Sequence, residues 1–177
     1  YYLKQNIPAS TWLNAWGEGE QEKIDGVLKL DNINRIFICG WYPGKTQAEM
    51  AALVTKALAT VPNPLNKRYT YTPANMLPFT ITLSGEIPAS LTQSVILASL
   101  KSGLESQFGK DSSEFDPYGT GDFQQIKLKD IWAYINNLGH FDDFTLTVSN
   151  MATPNGYNDF VYLDVANSIL NLTYTEA

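Results

Sequence analysis

The chain has 177 residues, 44% of them hydrophobic and 17% charged, a composition typical of a folded globular protein. Its net charge of -6 and its 12 scattered Lys and Arg residues argue against binding to a nucleic-acid backbone. No apolar run approaches the roughly 18 residues that span a membrane. Cys39 is the single cysteine, which excludes an intrachain disulfide. Because the chain begins at Tyr1 without Met or a signal-peptide pattern, we expect it to be a fragment of a longer polypeptide.

The first part of the chain predicts a small α+β unit over residues 1–73. Alternating or compact apolar runs predict strands at residues 11–16, 26–30, 35–39 and 68–72. The acidic, glycine-broken segment at residues 17–20 predicts a polar loop. Thr46 and Glu49 form a capping-box pattern at the start of a helix that Pro62 ends.

The second part, residues 74–177, predicts a second α+β unit. Apolar and hydroxyl side chains alternate in residues 79–84 and 144–149, which indicates two half-buried strands. Two further strands are predicted at residues 160–165 and 169–174. Two helices lie between the first pair of strands, and Ser90 with Gln93 suggests a capping box for the first helix. Their apolar stripes are Ile96, Leu97, Leu100, Leu104 and Phe108, then Leu128, Ile131, Trp132, Ile135 and Leu138. One sheet with both helices packed on one face would bury all of these side chains.

The segment at residues 40–46 resembles a phosphate-binding loop, since it follows a buried strand and contains Gly44, Lys45 and Thr46. It has three residues between its glycines where the motif needs four, and Pro43 removes a backbone donor. Thr46 also has a role as a helix cap. We therefore treat nucleotide binding as an alternative and expect no cofactor.

Other polar residues carry no catalytic or metal-binding pattern. The acidic groups Glu114/Asp116/Asp122 and Asp142/Asp143 lack the ligand order of a calcium loop and are interpreted as solvated. His140 is the only histidine, so the chain cannot form a histidine metal cluster or a triad that contains histidine. Cys39 lies in the most apolar strand and is expected to be an inert core thiol. We expect no enzyme activity.

Aromatic residues are frequent, with 4 Trp and 10 Tyr. Trp12, Trp16, Trp41 and Tyr42 cluster in the first part of the chain. They suit a sugar-binding face or a protein interface, and ordinary core packing explains them slightly better. Because these interpretations remain open, a carbohydrate-binding module is kept as a second alternative function.

From about Ile7 to Tyr174, the order of elements resembles the later portion of the baseplate J-like family of contractile phage tails. The resemblance rests on residues 10–16 and 35–39, the helix at 50–54, the proline-led strand at 73–83, and residues 126–146 with Gly139 at the corner before the strand. The chain departs from the family pattern at His140-Phe141 and in the long acidic segment at residues 110–122.

This resemblance implies a structural subunit of the baseplate wedge, located in the virion, which contacts other baseplate proteins and copies of itself. No nucleic acid or membrane is expected as a partner. Apolar rings on a loop can anchor a partner, so Phe115, Tyr118 and Phe123 are the first interface candidates. Trp41 and Tyr42 complete the predicted interface.

Overall fold

The structure is a computed structural model that describes residues 2–61, 66–115 and 123–175. It contains two β-sheets and several helices, so the predicted α+β class is confirmed. The elements in chain order are α1 (Tyr2–Asn6), β1 (Trp12–Gly17), α2 (Glu18–Asp25), a 3-10 helix (Leu30–Asn32), β2 (Arg35–Trp41), α3 (Gln47–Leu58), β3 (Arg68–Tyr71), β4 (Asn75–Ile87), α4 (Gln93–Phe108), α5 (Leu128–Asn137), β5 (Asp143–Ser149), β6 (Asp159–Leu163) and β7 (Ile169–Tyr174).

The backbone forms two compact units. Unit 1 comprises Tyr1–Met76, Ser113–Gln124 and Pro154–Phe160, and the remaining segments form unit 2. This grouping differs from the predicted division into residues 1–73 and 74–177. Aromatic packing explains the difference. Phe160 lies far from Trp12 and from Phe115 in sequence, yet its ring packs against the rings of both residues. A reading of local periodicity cannot detect such a contact.

The sheet of unit 1 has the order β1-β2-β3. β1 pairs antiparallel with β2, and β2 pairs parallel with β3. α3 supplies buried Met50, Val54 and Ala57, whose spacing places them on one helix face. These residues join Leu13 and Ile38 in one apolar core.

The start of α3 matches its sequence prediction. Thr46 Oγ1 accepts a hydrogen bond from Glu49 N at 3.2 Å. Glu49 Oε2 accepts one from Thr46 N at 2.8 Å. These reciprocal bonds satisfy backbone donors that a helix terminus leaves without partners, and they confirm the predicted capping box.

Unit 2 is organised around the 13-residue strand β4. β5 pairs antiparallel with one edge of β4, while β6 and β7 both pair with β4. Phe79, Ile81 and Leu83 alternate along β4 and are buried, as the period-two pattern predicts. They share one core with Leu100 and Leu104 of α4, and with Ile131 and Ile135 of α5. The predicted sheet with two helices on one face is therefore confirmed.

Gly103 allows α4 and α5 to approach closely. A Cβ atom at this position would lie 2.0 Å from the hydroxyl oxygen of Tyr134, a separation that atoms cannot adopt. Tyr134 also packs edge-on against Phe108, with ring centroids 5.8 Å apart. The glycine therefore serves helix packing and does not break the helix.

Several local predictions were wrong. Residues 18–20 begin α2 instead of forming a loop, because the run Glu-Gly-Glu-Gln-Glu-Lys contains good helix formers on both sides of its glycine. Residues 26–30 form no strand: Gly26 has a left-handed φ of 68° and ends α2, and the chain continues into the 3-10 helix. α1 was not predicted.

The start of α4 and the stripe of α5 also differ in detail. Thr92, not Ser90, is the N-cap of α4, and the cap has no side-chain hydrogen bond. Gln93 instead donates from Nε2 to Leu172 O at 3.0 Å. Leu128 and Trp132 were placed on the buried stripe of α5, but they are 46% and 49% exposed.

Candidate protein interface

An exposed group of apolar side chains lies in the last turn of α2 and in the segment between α2 and β2 in unit 1. We call it the apolar ridge. Leu28 and Leu30 are 82% and 85% exposed, so both side chains project almost fully into solvent. Its members are Ile24, Val27, Leu28, Leu30 and Ile33. Adjacent exposed apolar residues of this kind mark sites of protein–protein contact more often than scattered ones do.

The turn after α2 fixes the first half of the ridge. Gly26 N donates to Glu22 O at 2.8 Å and closes the helix. Lys29 N then donates to Glu22 Oε1 at 3.1 Å, and Lys29 Nζ donates to Asp25 Oδ2 at 2.6 Å. The backbone around Leu28 is therefore tied to α2 on both sides, although the leucine side chain itself is free.

The second half of the ridge is fixed from two other directions. Arg68 of β3 donates from Nη2 to Asp31 O at 2.7 Å and to Ile33 O at 2.8 Å. Glu18 Oε2 accepts a hydrogen bond from Asn34 N. Holding anchors in place before binding reduces the entropy lost on association. The ridge is thus preorganised for contact.

Acidic side chains border the ridge. Hydrogen bonds from Lys29 and Gln21 lower the pKa of the Asp25 carboxyl, so it is charged at neutral pH. Residues 18–33 contain five carboxylates, Glu18, Glu20, Glu22, Asp25 and Asp31, against two cations, Lys23 and Lys29, and Arg68 of β3 adds a third cation where it bonds Asp31 O and Ile33 O. An apolar pocket with a basic rim is the partner surface that complements this arrangement.

The sequence missed this site because its signal resembles that of a core strand. Residues 26–30 contain three apolar residues, Val27, Leu28 and Leu30, and we interpreted the segment as a short strand. The signal that could have identified the turn is Gly26 directly after the helix-forming run at residues 20–25, since glycine is the common residue beyond a helix C-terminus.

The predicted interface residues Phe115 and Phe123 make contacts inside unit 1. Phe115 is buried and packs edge-on against Phe160, with ring centroids 5.0 Å apart. Phe123 packs edge-on against Tyr157 at 4.9 Å. Tyr118 lies outside the described residues. Phe115 and Phe123 therefore have an intramolecular packing role, and their use as interface anchors stays a prediction.

Trp41 and Tyr42 are both half-buried at the end of β2. Trp41 stacks on Phe160, with ring centroids 6.3 Å apart. Lys45 Nζ lies 6.0 Å from the centre of the Tyr42 ring. Both residues are partly exposed, and their use as interface residues stays a prediction.

The proposed sugar-binding face is not assembled from its four residues. Trp12 and Trp16 expose only 2% and 6% of their surface, so they offer no open ring face. Trp12 stacks on Phe160 at 4.8 Å, and Trp16 stacks on Phe37 at 5.6 Å. For this pair, core packing is the arrangement observed.

In the segment that resembles a phosphate-binding loop, the side chains of Thr46 and Glu49 occupy the helix start where a phosphate would bind. Gly44 has a φ of 74° and turns the chain into α3. Backbone and side-chain hydrogen bonds from Thr46 lower the pKa of the Glu49 carboxyl. This carboxylate therefore holds a negative charge at the helix start, where a phosphate would have to bind. Lys45 Nζ lies 3.7 Å from Glu49 Oε1.

Buried titratable groups serve packing. Cys39 is fully buried, and burial raises the pKa of its thiol, which confirms the predicted core thiol. Within residues 2–61, 66–115 and 123–175, no group of three or more His, Cys, Asp and Glu side chains could hold a metal ion.

The described helices include none that is long and apolar enough to cross a membrane. No protein-family model matches the chain, and none of the curated proteins is similar to it in sequence.

Proposed function

We propose that the chain is a structural subunit that works through protein–protein contacts, and that its assembly is the baseplate of a contractile phage tail. The observation that carries the proposal is the apolar ridge. Leu28 and Leu30 are almost fully exposed, although hydrogen bonds fix the backbone on either side of them. An exposed leucine on a fixed turn gains stability only when a partner covers it.

The baseplate assignment rests on the resemblance of residues 7–174 to baseplate J-like proteins. In such an assembly, the chain would lie in the virion and contact other baseplate proteins and copies of itself. The acidic rim of the ridge favours a neighbour with an apolar pocket and basic side chains around it. The buried Trp12 and Trp16, and the Glu49 carboxylate at the α3 start, give the sugar and nucleotide alternatives less support.

Cryo-microscopy of phage particles that carry the chain would test this proposal. We expect density for the chain in the baseplate, with the apolar ridge covered by a neighbouring subunit. The double variant Leu28→Glu, Leu30→Glu should fold normally, because both positions face solvent, yet it should be lost from purified particles. Val95→Glu is the matched control, since Val95 is 62% exposed but lies in α4. Normal incorporation of the ridge variant would contradict the proposal.

Binding of ATP or GTP with Mg²⁺, measured by calorimetry, would separate the nucleotide alternative. We expect no binding. Tight binding that Lys45→Ala abolishes would overturn the structural role. A glycan-array signal that Trp41→Ala removes would favour the carbohydrate-binding alternative instead.

A further inference from the structure

The strand β5 forms one edge of the four-stranded sheet in unit 2. The sheet order is β5-β4-β6, with β7 pairing with β4, so β4 is the described strand next to β5. β5 has seven residues, Asp143-Phe144-Thr145-Leu146-Thr147-Val148-Ser149. Of the residues that commonly protect an edge strand, it contains no proline and no lysine, and its one charged residue, Asp143, lies at its first position.

Hydrogen bonds on β4 show which backbone groups of β5 face outward. Phe79 O accepts from Asp164 N, and Ile87 O accepts from Thr175 N, so these odd-numbered residues face away from β5. Backbone direction alternates along a strand, so the even-numbered residues of β4 bond to β5. In the observed register, Thr82 is opposite Thr147. The odd-numbered residues of β5 therefore face β4.

It follows that the N–H and C=O groups of Phe144, Leu146 and Val148 point to the open edge. Phe144 N donates to the neighbouring carboxylate Asp143 Oδ1 at 2.8 Å, which agrees with this direction. The same three side chains are only half-buried, whereas Ile81 and Leu83 of β4 are buried. At β5, the backbone hydrogen bonding of the sheet and the burial of its apolar face are thus both incomplete.

We propose that β5 pairs antiparallel with β5 of a second copy of this chain, with Leu146 opposite Leu146. This register overlaps all seven residues. It places Phe144 opposite Val148, and Thr145 opposite Thr147, so apolar meets apolar and hydroxyl meets hydroxyl. The one charged residue, Asp143, is opposite Ser149, which avoids contact between like charges.

The outer edge of β7 is less suited to antiparallel pairing with its own copy. Gln93 of α4 donates to Leu172 O and occupies part of that edge. β7 has six residues, Ile169–Tyr174, so full antiparallel overlap with its own copy would place Leu170 opposite Thr173. Apolar and polar faces would then be mixed. Self-pairing therefore belongs to β5.

α5 extends the proposed surface. Trp132 packs against Phe144 of the edge strand, with ring centroids 5.5 Å apart, yet it is 49% exposed. Pairing of two copies would bring two α5 helices together over a continuous sheet. A seven-residue strand is about 23 Å long. A contact limited to one such strand and one helix from each copy should bury less area than the roughly 1,200–2,000 Å² of a standard interface. The dimer should therefore be weak alone and become stable when a larger assembly holds both copies.

The inference rests on the proposed function for the role of self-contact in assembly, but its test uses the purified chain. Two variants, Thr145→Cys and Thr147→Cys, are oxidised separately and as a mixture. Both positions are exposed on the open face of the sheet, and Cys39 is buried, so the fold and the background reactivity are preserved. Cross-linked dimers in the mixture, and only monomers in each separate sample, would support the proposed pairing.

Each other result has a defined meaning. Cross-linking of either variant with itself would show a shifted register and overturn the proposed one. The absence of dimers in all three samples at high protein concentration would overturn the self-pairing, and covalent capture of a different protein in particles would assign the edge to that partner. Neither result would remove the chain from the baseplate, which the particle experiment tests separately.

Sedimentation analysis provides a second test without cysteines. The variant Thr145→Lys, Thr147→Lys places lysines opposite each other across the proposed pair, so its dimerisation should weaken by at least about tenfold. Val95→Lys is the control, because this exposed position lies on α4. Equal association of the two variants would contradict the proposal.

Discussion

Both units have an aliphatic core, but they differ in how they pack aromatic rings. In unit 1, aromatic rings from distant segments pack together: Trp12 and Phe115 both contact Phe160. In unit 2, the core is mainly aliphatic, and its members recur at regular spacing along β4, α4 and α5. Regular spacing is visible in a sequence, whereas contacts between single rings far apart in the chain are not. Unit 1 is therefore the harder part to predict.

The largest expected effect tests the aromatic side of this comparison. Trp12→Ala should lower the free energy of unfolding by about 3–5 kcal/mol, because it removes a buried ring that stacks on Phe160. Urea unfolding followed by circular dichroism would measure it. Trp132→Ala is the matched control, since this ring is 49% exposed. Similar losses for both variants would mean that the difference in burial between Trp12 and Trp132 does not determine how much each ring stabilises the fold.

The aliphatic core of unit 2 should respond almost as strongly. Leu100→Ala and Ile131→Ala should each cost about 2–5 kcal/mol, because both side chains are buried and leave cavities. Val95→Ala, at an exposed position of α4, should change the unfolding free energy by less than about 0.5 kcal/mol. Mild effects at both core positions would contradict the observed packing of α4 and α5.

The sequence predicted most of unit 2 because its local signals agree with its tertiary packing. β7 matches the predicted strand at residues 169–174, and β5 differs from its prediction by one residue. The sequence failed at residues 18–30, where an acidic run forms a helix and the apolar run after it forms an exposed turn. Phe115 shows the other limit: a ring among acids and glycines suggested an exposed loop, but Phe160, 45 positions later, covers it.

A buried carboxylate provides a smaller test in unit 1. Asp159 Oδ2 accepts from Asn155 N and Gly156 N, and its Oδ1 accepts from Asn75 Nδ2 at 2.7 Å. Asp159→Asn puts an NH₂ group where one of these donors needs an acceptor, so we expect a loss of about 1–3 kcal/mol. The same exchange at half-buried Asp164, whose carboxylate accepts hydrogen bonds from Asn167 that water can replace, should cost less. No measurable loss at Asp159 would show that the network reorganises freely.

The smallest effects concern the two helix starts that the sequence proposed. Thr46→Ala should cost about 1 kcal/mol, because Thr46 caps α3, and Ser90→Ala should cost almost nothing, because Thr92 precedes α4. The stabilising contribution of the α3 cap should also depend on pH. Hydrogen bonds from Thr46 lower the pKa of Glu49 below its ordinary value of 4.5. Its stabilising contribution is therefore complete above that value and is lost as the pH falls through the lowered pKa. The difference in unfolding free energy between the native chain and Glu49→Gln should be present at neutral pH and diminish in acid. A difference that is constant across this range would exclude the ionised Glu49 cap.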